Sequence, residues 1–284
     1  MLKLIECPRD AMQGLKDFIP TETKIEYINH LLTVGFDTID FGSFVSPKAI
    51  PQMRDTTAVL DGLALERTES KLLAIVANKR GADDACQFEE INYLGYPFSI
   101  SETFQQRNTN ASIEESLKRV EEINNRCQQH NKEMVVYISM AFGNPYGDPW
   151  DIDVAAHWSR RLSEDLGIKI LALSDTIGVS DHDNITDLFT GLIQELPDVE
   201  FGAHLHSTPD SVIEKVNAAY AAGCRRFDGA IRGFGGCPMA KDDLTGNMPT
   251  EKMKAYFDEN KIGTHLDEKA FDEAMNRALN VFPH

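Results

Sequence analysis

Two histidines two positions apart, His204 and His206, are the sharpest chemical feature of the sequence. Side chains two apart on a strand point to the same face, so both imidazoles can converge on one ion. The plainer reading is one buried, hydrogen-bonded histidine with an accidental neighbour. A carboxylate at Asp10 shifts that balance. Two imidazoles and a carboxylate, joined by an amide oxygen from a loop, suit an octahedral divalent ion with open positions. Arg9 either pairs with a surface carboxylate or, beside such an ion, stabilises a developing oxyanion. Asp175, in SDTIGV, reads as a helix cap or as a residue that acts at or near the substrate. Cys237, in GFGGCP, reads as a small buried apolar residue in a tight loop. Its other reading is a proton-transferring thiol on a hinged lid.

The elements that must position these residues alternate from one end of the chain to the other. Apolar, often β-branched runs begin at Leu2, Thr38, Leu72, Tyr96, Met134, Lys169, Glu200 and Arg225. Segments with helical spacing of apolar positions lie between them. Ser112 and Glu115 form a capping box. Ser207-Thr208-Pro209 offers a cap for a helix that ends at Gly223, and Gly35 ends the first helix in the same way. About eight strands with eight crossovers predict an α/β fold, a (β/α)₈ TIM barrel, as a single catalytic domain over residues 1–284. An open doubly wound sheet would show the same alternation. The first strand is followed by no glycine-rich phosphate loop, which disfavours the nucleotide-binding version of that sheet. In a barrel, function collects at the C-terminal ends of strands. Arg9, Asp10, Asp40, Asn78, Asp175, His204 and His206 all fall there, and closure sets the first strand two places from the seventh.

Composition narrows the partners. The chain has 284 residues, 42% hydrophobic and 26% charged, as in an ordinary globular protein. A formal charge of −17 argues against nucleic acid or an anionic membrane as partner, since both want a basic surface. Five cysteines without paired spacing argue against a disulfide framework. No apolar run approaches bilayer length, and the start, MLKLIECPRD, reaches a charged pair too early for a secretory signal. A cytoplasmic location is therefore expected.

Longer motifs carry a resemblance. PRDAMQ from Pro8, SFVSPKAIPQMRD from Ser43, SETFQQRNTNASIEES from Ser101, SDTIGV from Ser174, HLH from His204 and GFGGCPMA from Gly233 run through most of the chain, with TGN ending at Asn247. Together they resemble the 3-hydroxy-3-methylglutaryl-CoA lyase family, among the metal-dependent barrel lyases related to isopropylmalate and homocitrate synthases. The resemblance implies a carbon–carbon lyase that splits hydroxymethylglutaryl-CoA, or a related 3-hydroxyacyl-CoA, into acetyl-CoA and acetoacetate. It implies a Mg²⁺ or Mn²⁺ cofactor held by Asp10, His204, His206 and Asn247. It also implies catalytic roles for Arg9, Cys237 and Asp175. Asp40 and Gln13 are expected around the ligands. Lys16, Lys48 and Asn78 are expected to contact the acyl-CoA, and a homo-oligomer, a dimer, is expected.

Departures from the pattern bear on substrate. RDAMQ stands where RDGLQ is usual, and Asp40 stands for a glutamate. Ser207 replaces an aspartate, and the stretch from Cys237 to Asn247 is one residue longer. Two alternatives remain: a Claisen-type condensing enzyme of the isopropylmalate synthase branch, and a catalytically silent barrel that binds a metabolite.

Overall fold

A computed structural model describes residues 1–236 and 245–282. The chain begins with β1 (Lys3–Glu6), α1 (Pro8–Gln13) and α2 (Thr21–Leu31), then β2 (Thr38–Ser43) and α3 (Thr56–Asp61). It continues through β3 (Lys71–Ile75), α4 (Lys79–Ala85), β4 (Ile91–Ser99), α5 (Glu102–Thr109), α6 (Ile113–Gln129) and β5 (Glu133–Ser139). Next come α7 (Ile152–Arg160), β6 (Ile170–Asp175), α8 (His182–Glu195), β7 (Glu200–Ser207), α9 (Val212–Ala221) and β8 (Arg226–Gly229). A two-residue β9 (Gly246–Asn247), α10 (Thr250–Glu259) and α11 (Glu268–Val281) follow.

Strands β1 to β8 pair in parallel with their neighbours in sequence, and β8 pairs with β1, so the ring closes. Closure makes the fold a (β/α)₈ barrel and rules out the open sheet. The strands are almost continuously buried because side chains fill the barrel on one face and meet helices on the other. Leu73, Ile75, Val135, Ile170 and Ala172 form an inner cluster, while the larger outer cluster joins sheet to helices. Two strands separate β1 from β6, but only β8 separates β1 from β7, so the ends of β1 and β7 face each other across one neighbour.

Local signals acted mostly as their chemistry requires. Ser112 and Glu115 complete their capping box at α6. Three boundaries differ. The first helical stretch is two helices, α1 and α2, and Gly35, at φ +94°, lies beyond the turn after α2. Ser207 does not cap α9, which starts after Ser211. Ser207 is instead the last residue of β7, held there because β9 pairs antiparallel with it, His206 opposite Asn247 and Ser207 opposite Gly246. The fourth strand starts at Ile91 rather than Tyr96; Gly95 and Pro97 hide its continuity in the sequence.

Candidate metal centre and acyl pocket

Pro8 at the first helical position turns the chain into α1 directly after β1, and one helical turn then gathers three polar side chains. Arg9 Nη1 donates to Asp10 Oδ1 and to Gln13 Oε1, both at 2.9 Å. Gln13 Nε2 donates to Asp10 Oδ1 at 2.7 Å. On its other edge Arg9 grips Asp40 at the end of β2, with Nε 3.1 and 3.0 Å from the two carboxylate oxygens and Nη2 bonded to Oδ2. These contacts engage four of the five guanidinium N–H groups and leave one on Nη2. Burial works against charge on both partners. It pushes Asp40 up to about 6 despite Arg9, while the two carboxylates hold Arg9 firmly protonated.

Across the barrel mouth, His204 and His206 project from the end of β7. Ligand atoms of Asp10, His204 and His206 lie within 4.8 Å of one another. Each ring is held by its Nδ1. His204 Nδ1 is 3.1 Å from Asp228 Oδ2, and His206 Nδ1 is 3.0 Å from the Thr176 carbonyl. Both Nε2 atoms are therefore turned the other way. His206 Nε2 is buried and has no hydrogen-bond partner among the described residues. A buried nitrogen with no partner costs about 1–3 kcal/mol unless something binds it. An ion between these side chains would satisfy it.

For Asp10 and His206 the electrostatics agree with ligation. Burial opposes ionisation of Asp10, but Arg9 and the two imidazoles outweigh it and hold the carboxyl near about 2. Burial and the neighbouring His204 push His206 down, keeping it neutral as a ligand must be. Burial pushes His204 down, but the hydrogen bond and charge of Asp228, together with Asp10, carry it above its ordinary value, so a metal must displace a proton there. Asn247 reaches this centre through β9. Its Nδ2 donates to Asp10 Oδ2 at 2.8 Å and to the Phe234 carbonyl at 2.9 Å, so Oδ1 is the end left to coordinate. Two imidazole nitrogens, a carboxylate and an amide oxygen form a donor set that fits a divalent ion with open positions.

The centre opens into a cavity of about 380 Å³. Arg9, Asp10, Gln13, His204 and His206 form its polar end, and Val45, Ile50, Ile75, Pro97 and Phe104 form much of the apolar wall. Gly235 and Gly236 cross above, at φ +84° and +132°. A Cβ on Gly235 would stand 2.8 Å from Ala11 Cα and from Asn247 Nδ2 and 2.9 Å from the Asp10 carbonyl, so only glycine allows this approach.

Other expected residues sit elsewhere. Asp175 is not on the cavity wall, although its neighbours Ser174 and Thr176 are. Its Oδ1 accepts from Val179 N, and its Oδ2 from Ser180 and from Lys215 Nζ at 2.7 Å. Lys215 Nζ also donates to the His206 carbonyl at 2.8 Å. Asn78 caps α4, with Oδ1 3.0 Å from Gly81 N, while its neighbour Ala77 lines the cavity. Lys48 is exposed beside Ala49 and Ile50 at the cavity edge. Lys16 is exposed on a separate groove between residues 14–20 and the C-terminal Leu279–Phe282 stretch. Cys237 lies outside the described residues. Asp228, which orients His204, was not among the expected residues; its signal is a carboxylate two positions along β8 from another inward-facing residue, Arg226.

The chain matches the HMGL-like family model over residues 3–277. It is 35% identical to the hydroxymethylglutaryl-CoA lyase YngG of Bacillus subtilis, over 97% of this chain and 95% of that protein. It is 32% identical to a 3-hydroxy-3-isohexenylglutaryl-CoA/hydroxymethylglutaryl-CoA lyase of Pseudomonas aeruginosa, over 99% and 92%. Among solved structures, a hydroxymethylglutaryl-CoA lyase from Acinetobacter baumannii in complex with coenzyme A and 3-methylmalate superposes with a TM-score of 0.90 at 30% identity, covering 99% of this chain and 91% of that one. With the barrel and this ligand geometry, those matches place the chain in the HMGL-like family.

Proposed function

We propose that the chain is a divalent-metal-dependent carbon–carbon lyase that cleaves hydroxymethylglutaryl-CoA to acetyl-CoA and acetoacetate. The observation that carries this reading is the convergence of Asp10, His204 and the unpartnered Nε2 of His206 in one cavity with Arg9. Asp10, His204, His206 and Asn247 would hold Mg²⁺ or Mn²⁺, which when bound acts as a Lewis acid that makes the substrate's tertiary hydroxyl easier to deprotonate.

The chain's own residues do the rest. Once the hydroxyl has lost its proton, the bond between C2 and C3 breaks. C3 becomes the ketone of acetoacetate, and the electron pair passes to the thioester as the enolate of acetyl-CoA. Arg9, locked by Asp40 and Gln13, turns its remaining Nη2 N–H toward that developing charge without reorganising. Cys237 is the proposed donor of the proton that completes acetyl-CoA. Asp175 positions rather than reacts: with Lys215 it fixes the backbone that carries His206. Lys48 is the proposed contact for the anionic coenzyme at the cavity edge. We place the enzyme in the cytoplasm as a homodimer; no helix among the described residues is long and apolar enough to cross a membrane.

The apolar wall also favours a second reading of substrate, a 3-hydroxyglutaryl thioester with a longer hydrocarbon branch at C3, as the name of the Pseudomonas relative specifies for that protein. Incubation of the purified protein with each thioester, with EDTA and with added Mn²⁺ or Mg²⁺, tests both. Metal-dependent release of acetyl-CoA with acetoacetate supports the first. Preference for the branched thioester favours the second, and no cleavage of either by metal-loaded protein would sink the lyase assignment.

A further inference from the structure

The interior of the barrel is not purely apolar. Arg226, on β8, is 0% exposed. Its side chain passes beside Gly202, its partner in register on β7. A Cβ on Gly202 would stand 3.0 Å from Arg226 Cδ and 3.3 Å from Cγ, so the glycine provides the clearance this stem needs. The guanidinium bonds Glu200 through Nη1 at 3.2 Å and lies 5.7 Å from the centre of the Tyr93 ring. Its Nε and Nη2 have no hydrogen-bond partner among the described residues.

Asp228 lies two residues further along β8, on the same face. Its Oδ2 holds His204 Nδ1, and its Oδ1 is buried with no partner among the described residues. The Tyr137 hydroxyl is in the same state, and its ring meets that of His204 edge-on at 5.3 Å. Two guanidinium nitrogens, a carboxylate oxygen and a phenol are thus left unsatisfied in one interior. Burial works against charge on Arg226, yet Asp228, Tyr137 and Glu200 hold it protonated, so these groups act on one another. Buried polar groups of this kind are normally bridged by water making about three hydrogen bonds.

We propose that Arg226 is a positioning residue for His204: through buried water shared by its Nε and Nη2, the Tyr137 hydroxyl and Asp228 Oδ1, it pins the Asp228 carboxylate, keeping Oδ2 on His204 Nδ1 and Nε2 aimed at Asp10 and His206. Its consequence for metal affinity rests on the metal centre proposed above; its consequence for the ring does not. Partners behind a ligating histidine are worth about 10–100-fold in metal affinity, and Arg226 stands one step behind such a partner.

The test compares the wild type with Arg226→Met, which keeps the volume and removes the donors, and with Arg226→Lys, which returns the charge. Mn²⁺ affinity is read from the paramagnetic resonance of the free ion, and the His204 tautomer from ¹⁵N imidazole spectra of the metal-free protein. Arg226→Met should bind Mn²⁺ about tenfold more weakly and show His204 in two tautomers, with part of both effects reversed in Arg226→Lys. Unchanged affinity together with a single tautomer in Arg226→Met would overturn the proposal. If the wild type binds no Mn²⁺, the metal centre falls, and the tautomer comparison still decides the role of Arg226. If Arg226→Met does not fold, the wild type decides alone: a cross-peak from Arg226 Nε–H to long-lived water is expected, and its absence refutes the bridge.

Discussion

His206 Nδ1 lies 3.0 Å from the carbonyl of Thr176, and this bond decides which nitrogen faces the cavity. Thr176 is the first residue after β6, so the loop following one strand sets the ring orientation of a histidine on the next. His204 reaches the same orientation through a side chain, Asp228 on β8. The two rings are thus fixed independently from opposite neighbours of β7, and both turn Nε2 toward Asp10. A histidine merely buried in a core would have both ring nitrogens partnered, whereas His206 Nε2 has no partner among the described residues.

Replacing His206 by alanine should therefore remove metal along with turnover. The fold does not depend on the ring, because Lys215 holds the backbone carbonyl and not the imidazole. We expect unchanged far-ultraviolet circular dichroism and a loss of roughly tenfold or more in Mn²⁺ affinity, as for deletion of a metal's direct or supporting ligand. Full Mn²⁺ stoichiometry in this variant, measured by elemental analysis, would remove His206 from the ligand set.

Arg9→Met separates metal binding from charge stabilisation. The substitution spares the proposed ligands but strands Asp40, which is 1% exposed and has its ion pair only with Arg9 among the described residues. Breaking a buried pair in this way costs about 3–5 kcal/mol. Pairing the change with Asp40→Asn should recover much of that stability without recovering turnover. Thermal unfolding, Mn²⁺ binding and kcat on the single and double variants check the three statements separately. A double variant with near-normal kcat would end the assignment of Arg9 to the enolate.

Much of this was legible in the sequence because burial and periodicity leave a direct trace. Eight β-branched runs read as strands since each is buried on both faces, and the spacing of His204 and His206 puts both at one strand end. Asp10 was legible because ring closure brings the first strand near the seventh. What the sequence hid depends on register between distant segments. Asp228 looks like an ordinary polar residue of RRFDGAI until β7 and β8 are set side by side. Asp175 resembled a site carboxylate, but Lys215, forty residues on, claims it. Ser207 looked like a cap because nothing local announces that Gly246 will pair with it and extend the strand. Asn78, at a strand end, is taken up by the start of the helix that follows.

Gly235→Ala should act on the metal centre without replacing a ligand. The added methyl would meet backbone atoms of residues 10 and 11, which cannot swing aside, and the side-chain amide of Asn247, which it would push away from Asp10. The positive φ adds about 1 kcal/mol of strain to any non-glycine residue. We expect the barrel to unfold near its normal temperature, because the crossing lies outside the ring of strands, while Mn²⁺ binding weakens several-fold. Calorimetric titration with Mn²⁺ provides the check, and wild-type affinity in this variant would show that the crossing is not tight around Asp10 and Asn247.

Stability should fall as pH rises from neutral, and Glu6 is the group to examine. At the end of β1 it is fully buried, accepting from Ile231 N at 2.8 Å and from the Thr250 hydroxyl at 2.6 Å. Burial raises its pKa to about 8 against those two bonds, with Glu251 adding to the rise. A carboxyl with a pKa near 4.5 unfolded and about 8 folded binds more protons in the native state between those values. Its contribution is complete below the unfolded pKa and is lost as pH climbs through the folded one, at up to about 1.4 kcal/mol per pH unit. Thermal unfolding at pH 6 and pH 8.5 should show the wild type losing several degrees. Glu6→Gln, which keeps an acceptor for Ile231 N–H and cannot ionise, should lose clearly less. Equal losses in the two proteins would show that Glu6 does not titrate in this window.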